Sequence, residues 1–168
     1  AIARREQDAT LEMRTLTHAV YIASWYLRWP EMQSEASKAI ELSEQAGDLS
    51  AETQVRSYFT ANRIILGDSE GAHYHAKAAL EAAERLRDRT WLIFALWGNE
   101  FLCRLQGEWQ AAREFSDRGL AVAPREPRLS GFRTLLEYEV GDFLAGESYL
   151  ERLLEAMRLS PPGPTMEY

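Results

Sequence analysis

A step of forty residues runs through this chain and constrains its architecture more than any other feature. Leu27-Arg28-Trp29, Gly67-Asp68-Ser69 and Gly107-Glu108-Trp109 lie forty positions apart, and Gly141-Asp142-Phe143 follows thirty-four later. A second set of landmarks, Ala39-Ile40, Ala79-Leu80, Gly119-Leu120 and Leu153-Leu154, moves in step with the first. A fixed period of this size marks a stack of supersecondary units, each sheltering its neighbour's apolar face. Such arrays offer binding surfaces and seldom carry a catalytic centre.

The punctuation gives the elements. Gly67, Gly107 and Gly141 break the chain, and each is followed by an acidic residue that suits a helix N-terminus. Trp29-Pro30 does the same in the first unit, since proline is tolerated at the start of a helix. The remaining breaks fall at Gly47-Asp48, at Arg87-Asp88-Arg89-Thr90 and over 124–127, where Pro127 sets a boundary. Gly47 reads as a C-terminal cap, and Ser50 and Thr90 as N-caps. Period-two alternation is absent, so no strand is expected. The marks predict eight helices, over 4–27, 30–46, 51–66, 69–86, 91–106, 109–123, 128–140 and 143–159. Connections of two to four residues force successive helices antiparallel. The result is one all-α repeat domain over 1–160, in units 4–46, 51–86, 91–123 and 128–159. Residues 161–168 read as a linker or the start of a further repeat. The opening lacks a methionine and the chain stops just after a turn, so a piece of a longer polypeptide is expected.

The second helix of each unit carries a stripe of small residues. Ala72, Ala76, Ala79, Leu80 and Ala83 recur at spacings of three and four, as do Ala112, Ser116, Gly119, Leu120 and Ala123. Such faces allow close approach, with bulk supplied by first helices such as the one bearing Phe94, Trp97, Phe101 and Leu105. Gly98 interrupts that helix. A mid-helix glycine costs about 1 kcal/mol relative to alanine. Tight contact with the facing helix is the expected compensation, so Gly98→Leu is expected to force the third pair apart.

These residues resemble tetratricopeptide (TPR) repeats, whose pattern is Trp, two residues, Leu-Gly, two residues, Tyr, then Ala, Phe and Pro. Phe94, Trp97, Gly98 and Phe101 match the first half with conservative swaps, and Trp109, Ala112, Gly119, Leu120 and Pro124 match the second. The second unit keeps Tyr58, Ala61, Ala72, Ala79 and Leu80, and the first keeps His18, Tyr21, Trp29, Ala39 and Ile40. The fourth departs furthest, with Gly146 and Leu153. The resemblance spans almost the whole chain and implies a right-handed TPR-like α-solenoid of four helix pairs. Forty-residue units are similar to the arrays of large bacterial signalling proteins, where an ATPase core precedes the repeats and a LuxR-type DNA-binding domain closes the chain, and to arrays beside bacterial nucleotide cyclases. Neither an ATPase motif nor a helix-turn-helix lies in this segment.

Composition narrows the chemistry. With 19 Lys plus Arg against 26 Asp plus Glu, the net charge is −7, which disfavours direct contact with nucleic acid. No apolar run approaches the eighteen or so residues that span a bilayer, so no membrane partner is expected. Cys103 is the only cysteine, which excludes an intrachain disulfide and suits a reducing, cytoplasmic setting. It sits in the apolar run Phe101-Leu102-Cys103 with no histidine near in sequence, so a buried inert thiol is expected. His73 and His75 are two apart and point to different helix faces, while His18 is isolated. No metal site and no cofactor follow. No glycine-rich phosphate loop occurs. Carboxylates such as Glu41, Glu44, Glu81, Glu84, Glu151 and Glu155 read as solvated helix surface.

The resemblance implies a non-catalytic interaction scaffold, a fragment of a bacterial signalling or transcriptional regulator. It would bind a protein segment, or another domain of its own chain, along the concave side lined by the first helices. The alternative is a sensor for a small-molecule effector that controls an attached ATPase or DNA-binding domain. A deep apolar pocket with converging polar groups would favour the sensor, and an open groove or exposed aromatic patch the scaffold. With Gly98 set against the packing face, the residues expected to line the groove are Glu52, Phe59, Asn62, Arg63, Asn99 and Leu102. Asn62, Arg63 and Asn99 are suited to hydrogen-bonding a peptide main chain or carboxylate. The dense stretch Trp25-Tyr26-Leu27-Arg28-Trp29 is a second candidate docking patch.

Overall fold

The computed structural model describes residues 8–26 and 28–159. Over these the chain forms eight helices and no strand. They are α1 (Ala9–Trp25), α2 (Trp29–Ala46), α3 (Leu49–Ile65), α4 (Ser69–Leu86), α5 (Arg89–Leu105), α6 (Trp109–Val122), α7 (Pro127–Val140) and α8 (Phe143–Leu159). The breaks fall where the glycines and Pro127 place them. Residues 4–7, the tail at 161–168, Leu27, and the side chains of Trp25 and Trp29 lie outside the described set.

Aspartates rather than the expected hydroxyls cap α3 and α5. Asp8, Asp48 and Asp88, forty apart, accept hydrogen bonds from the amides of Leu11 (2.9 Å), Ala51 (3.0 Å) and Trp91 (3.1 Å). Ser50 and Thr90 lie inside α3 and α5 instead. Carboxylates add favourable charge at a helix N-terminus to the hydrogen bond that a hydroxyl would also make. Asp68 and Asp142 cap α4 and α8 in the same way. Gly47 and Gly141 close α2 and α7 in the left-handed conformation, at φ 65° and 83°, which a side chain would strain.

Packing follows the order of the chain. α1·α2, α3·α4, α5·α6 and α7·α8 form the pairs, and each even helix also packs on the odd helix that follows it. Odd helices touch one another in sequence, α1·α3, α3·α5 and α5·α7, whereas even helices have no comparable mutual contact among the described residues. The layer that packs more closely is the inside of the bend. This all-α, solenoid-like stack therefore has an inner layer of odd helices and an outer layer of even ones.

The small stripes are buried as expected. Ala72 and Ala76 share a cluster with Leu102, and Ala79 and Ala83 share one with Ala95. Between helices, the tightest glycine is Gly119, where a Cβ would stand 2.9 Å from Cδ1 of Leu129. Gly98, in contrast, faces open space: a Cβ there meets nothing within 4 Å. The tight packing expected of Gly98 belongs to Gly119. Gly98→Ala is thus expected to raise stability by about 1 kcal/mol through helix propensity, and Gly98→Leu to leave the fold intact. Gly119→Leu is expected to cost about 1–3 kcal/mol by overpacking against Leu129, which is fully buried. Thermal melts followed by circular dichroism check the order.

Candidate functional site

The open side of the inner layer is built on one register. Gln54, Tyr58, Ala61 and Ile65 on α3 recur forty residues on as Phe94, Gly98, Phe101 and Leu105 on α5. Spacings of four, three and four keep each set on one helical face. Except for Ile65 and Leu105, which are exposed, these positions are half-buried, as expected of a surface rather than a core.

Aromatic rings join these faces into a ladder. Tyr21 of α1 meets Tyr58 of α3 at 5.4 Å between centroids, and Tyr58 meets Phe94 of α5 at 5.3 Å. Phe94 contacts Trp97 at 5.4 Å, and Trp97 and Phe101 both contact Phe132 of α7, at 5.4 and 5.6 Å. The ladder crosses all four odd helices in tilted and edge-on geometries, the arrangements that aromatic quadrupoles favour. Burial pushes the Tyr58 hydroxyl up to about 12, with Tyr21 adding to the rise and Arg128 opposing it. Guanidinium groups border the rings. Arg128 lies 6.0 Å from the centroid of Phe94, and Arg104 lies 5.6 and 5.5 Å from those of Phe101 and Phe132. Arg128 pairs with Glu126 and Arg104 with Glu139, so much of the cationic charge is already balanced. Ile65, Leu105 and Leu135 extend the ladder with exposed aliphatic surface.

Of the six residues expected in the groove, Phe59, Asn62, Asn99 and Leu102 are buried, and Glu52 and Arg63 are half-buried. Phe59 is buried with Ala36 and Ile40 of α2, and Leu102 with Ala72 and Ala76 of α4. Asn99 donates to the carbonyls of Ala76 (3.0 Å) and Ala95 (2.9 Å) and so ties α5 to α4. Asn62 is fully buried. Glu52 is bonded to Arg56 at 2.9 Å, and Arg63 lies 4.4 Å above the Phe59 ring and pairs with Asp68. These are junction residues. The open face, which includes Gly98, lies about one residue, or roughly 100° around a helix, from the face expected to be open. The residues missed are Tyr21, Tyr58, Phe94, Phe101 and Phe132. The signal that could have found them is the run of aromatic residues at spacings of three and four on one helix, Phe94, Trp97 and Phe101. In the second candidate patch, Tyr26 is 71% exposed.

Beneath the ladder lies a charged interior. Glu137 of α7 accepts from Arg113 of α6 (Nε to Oε1, 3.1 Å) and from Arg133, and Arg133 also donates to Asp117 at 2.6 Å. Burial raises the Glu137 carboxyl, but the bonds from Arg113 and Arg133 outweigh it and hold the group below its ordinary range. The antiparallel register that places Cys103 with Ala112 and Ile93 with Ala123 sets Glu100 opposite Ser116. Both carboxyl oxygens of Glu100 are buried without a hydrogen-bond partner among the described residues.

The one thiol and the His75 imidazole are both held neutral by their surroundings. Burial, then Glu108, pushes the Cys103 thiol up to about 12, so it is not ionised near neutral pH. Burial and the neighbouring Arg56 and Arg63 bring His75 down to about 4, so it stays uncharged. Among the described residues, no group of three or more His, Cys, Asp or Glu is placed to hold a metal ion, and no helix is long and apolar enough to cross a membrane. No protein-family model matches the chain, and no curated protein matches it.

Proposed function

We propose that this chain is a non-catalytic, TPR-like interaction module that holds a protein segment along the inner face of its odd helices, as part of a larger bacterial regulator. The aromatic ladder from Tyr21 to Phe132 carries this reading. It is an apolar strip across four helices, made of residue types that dominate interface energetics. Gly98 leaves a notch of open space on the face that bears Phe94 and Phe101, where a Cβ would meet nothing within 4 Å. It costs helix stability, and no contact within the chain requires it. A side chain of the bound segment would fill that notch.

One hollow supports the scaffold over the effector sensor. It measures 830 Å³ and is lined by Leu49, Glu81, Glu84, Arg85 and Arg87. Charged side chains dominate this lining, whereas small-molecule sites are mostly apolar.

The test is selection of peptides from a displayed random library against the full chain, followed by affinity measurement on variants. Gly98→Trp fills the notch without removing any packing and is expected to weaken the selected peptides at least about tenfold, or 1.4 kcal/mol. Tyr21→Ser is expected to weaken them while leaving the melting temperature close to wild type. Peptides that bind with unchanged affinity to both variants would place the binding surface elsewhere.

A further inference from the structure

The loops that lead from each even helix into the next odd one, 47–48, 87–88 and 123–126, follow one another along one edge of the stack. The hollow of 830 Å³ spans the first two, since Leu49, Arg85 and Arg87 all line it. A second hollow, of 350 Å³, spans the last two and takes in Arg89 and Arg125. All four arginines are exposed, and none has a carboxylate partner among the described residues. The nearby acids are already taken. Glu84 holds Arg118 at 2.7 Å, Glu81 holds Lys77 at 3.8 Å and Glu126 holds Arg128 at 2.8 Å. Asp88 accepts from the amides of Thr90 and Trp91. The chain as a whole is acidic, yet this edge has cationic charge left over.

Local stability does not account for that charge. Arg87 closes α4 in the left-handed conformation at φ 56°, the one non-glycine with positive φ among the described residues. Forty residues earlier Gly47 closes α2 in the same conformation, at φ 65°. A side chain strains that backbone where glycine does not. Arg89 opens α5, and a helix N-terminus disfavours a cation. The C-terminal dipole of α4 suits Arg85, but it explains neither a strained arginine in the place of glycine nor Arg89. Side chains kept against local preference mark function.

We propose that this edge binds a carboxylate-rich protein segment, laid along the loops so that successive Asp or Glu side chains meet Arg85, Arg87, Arg89 and Arg125. A guanidinium fork matches a carboxylate with two parallel hydrogen bonds. The four arginines divide between two hollows, which suits an extended segment with spaced charges. A compact polyphosphate would concentrate its charge in one hollow, and in the larger one it would stand beside Glu81 and Glu84. The site uses none of the aromatic ladder, so the two surfaces are independent.

Fluorescence anisotropy of a labelled oligo-aspartate peptide with the full chain tests this. The peptide is expected to bind, to weaken as salt rises, and to resist competition by oligo-serine of the same length. Arg87→Gly is expected to weaken it while leaving the melting temperature equal or higher, whereas loss of a merely structural arginine would lower that temperature. Arg87→Gly combined with Arg89→Gln is expected to weaken it at least about tenfold. Lys38→Gln removes the same charge from α2 and is expected to change affinity by less than about twofold. Gly98→Trp on the ladder is expected to change nothing. Four results would each overturn the proposal: no saturable binding, equal losses in Lys38→Gln and the double variant, loss in Gly98→Trp, which would place the peptide on the ladder, or tighter competition by inorganic tripolyphosphate than by unlabelled oligo-aspartate, which would make the edge a phosphate site.

Discussion

Glu137→Gln is expected to destabilise the fold by roughly 3 kcal/mol at neutral pH, the range measured when one partner of a buried ion pair is removed. Glu137 is 1% exposed and receives two guanidinium groups, from Arg113 and Arg133. An amide in its place removes the charge that balances them and turns an N–H donor toward other donors. Arg133, 7% exposed, would keep Asp117 as its one carboxylate partner. The pH dependence gives a second readout. The folded carboxyl is held below its ordinary value of 4.5. Its contribution is therefore complete above that value and is lost as pH falls through the lowered folded one. The gap between wild type and variant in urea unfolding should be full at neutral pH and shrink in acid. A gap under about 0.5 kcal/mol, the scatter of ordinary surface substitutions, would show that Glu137 is not the electrostatic centre of the third and fourth pairs.

The helices were legible because their ends are local chemistry. Gly47, Gly67, Gly107, Gly141 and Pro127 act on the backbone within a residue or two, whatever the tertiary context. The caps were misassigned only because Asp48 and Ser50, or Asp88 and Thr90, are both competent, and the carboxylate adds favourable charge at the helix end. The candidate face was less legible. Odd helices such as α3 and α5 touch their pair partner, the preceding even helix and both neighbouring odd helices, so apolar residues surround them and no single stripe marks the open side. Gly98 is ambiguous in any sequence, since a glycine serves close contact and open space equally. The charged interior was invisible for another reason. Arg113 and Glu137 are 24 residues apart and Arg104 and Glu139 are 35 apart, separations at which charge pattern along a helix carries no information.

Glu100→Gln is expected to do the opposite of Glu137→Gln and stabilise the chain, increasingly so as pH rises. Two buried carboxyls sit in one region, yet only one has donors. Glu100 has none for either oxygen among the described residues. Burial pushes its carboxyl up to about 8, with Arg104 and Arg133 drawing it back in part and Glu139 adding to the rise. The folded value thus lies above the ordinary 4.5, and folding takes up a proton. The stability this provides is complete below about pH 4.5 and is lost as pH climbs to about 8, at up to about 1.4 kcal/mol per pH unit. Glutamine keeps the shape of the protonated acid and cannot ionise. Relative to wild type, the variant should match it below about pH 4.5 and gain several kcal/mol by about pH 8, then run parallel above that. Urea unfolding followed by tryptophan fluorescence across this range reads the difference directly, and curves that stay parallel throughout would mean that Glu100 ionises freely in the fold. The position links this proton to the proposed binding face. Glu100 lies between Trp97 and Phe101 on α5, whose rings carry the ladder onto Phe132. A charge formed there in alkali would have to reach water by moving the helix that holds those rings. Peptide affinity at the ladder should therefore fall with wild-type stability as pH rises and stay level in Glu100→Gln.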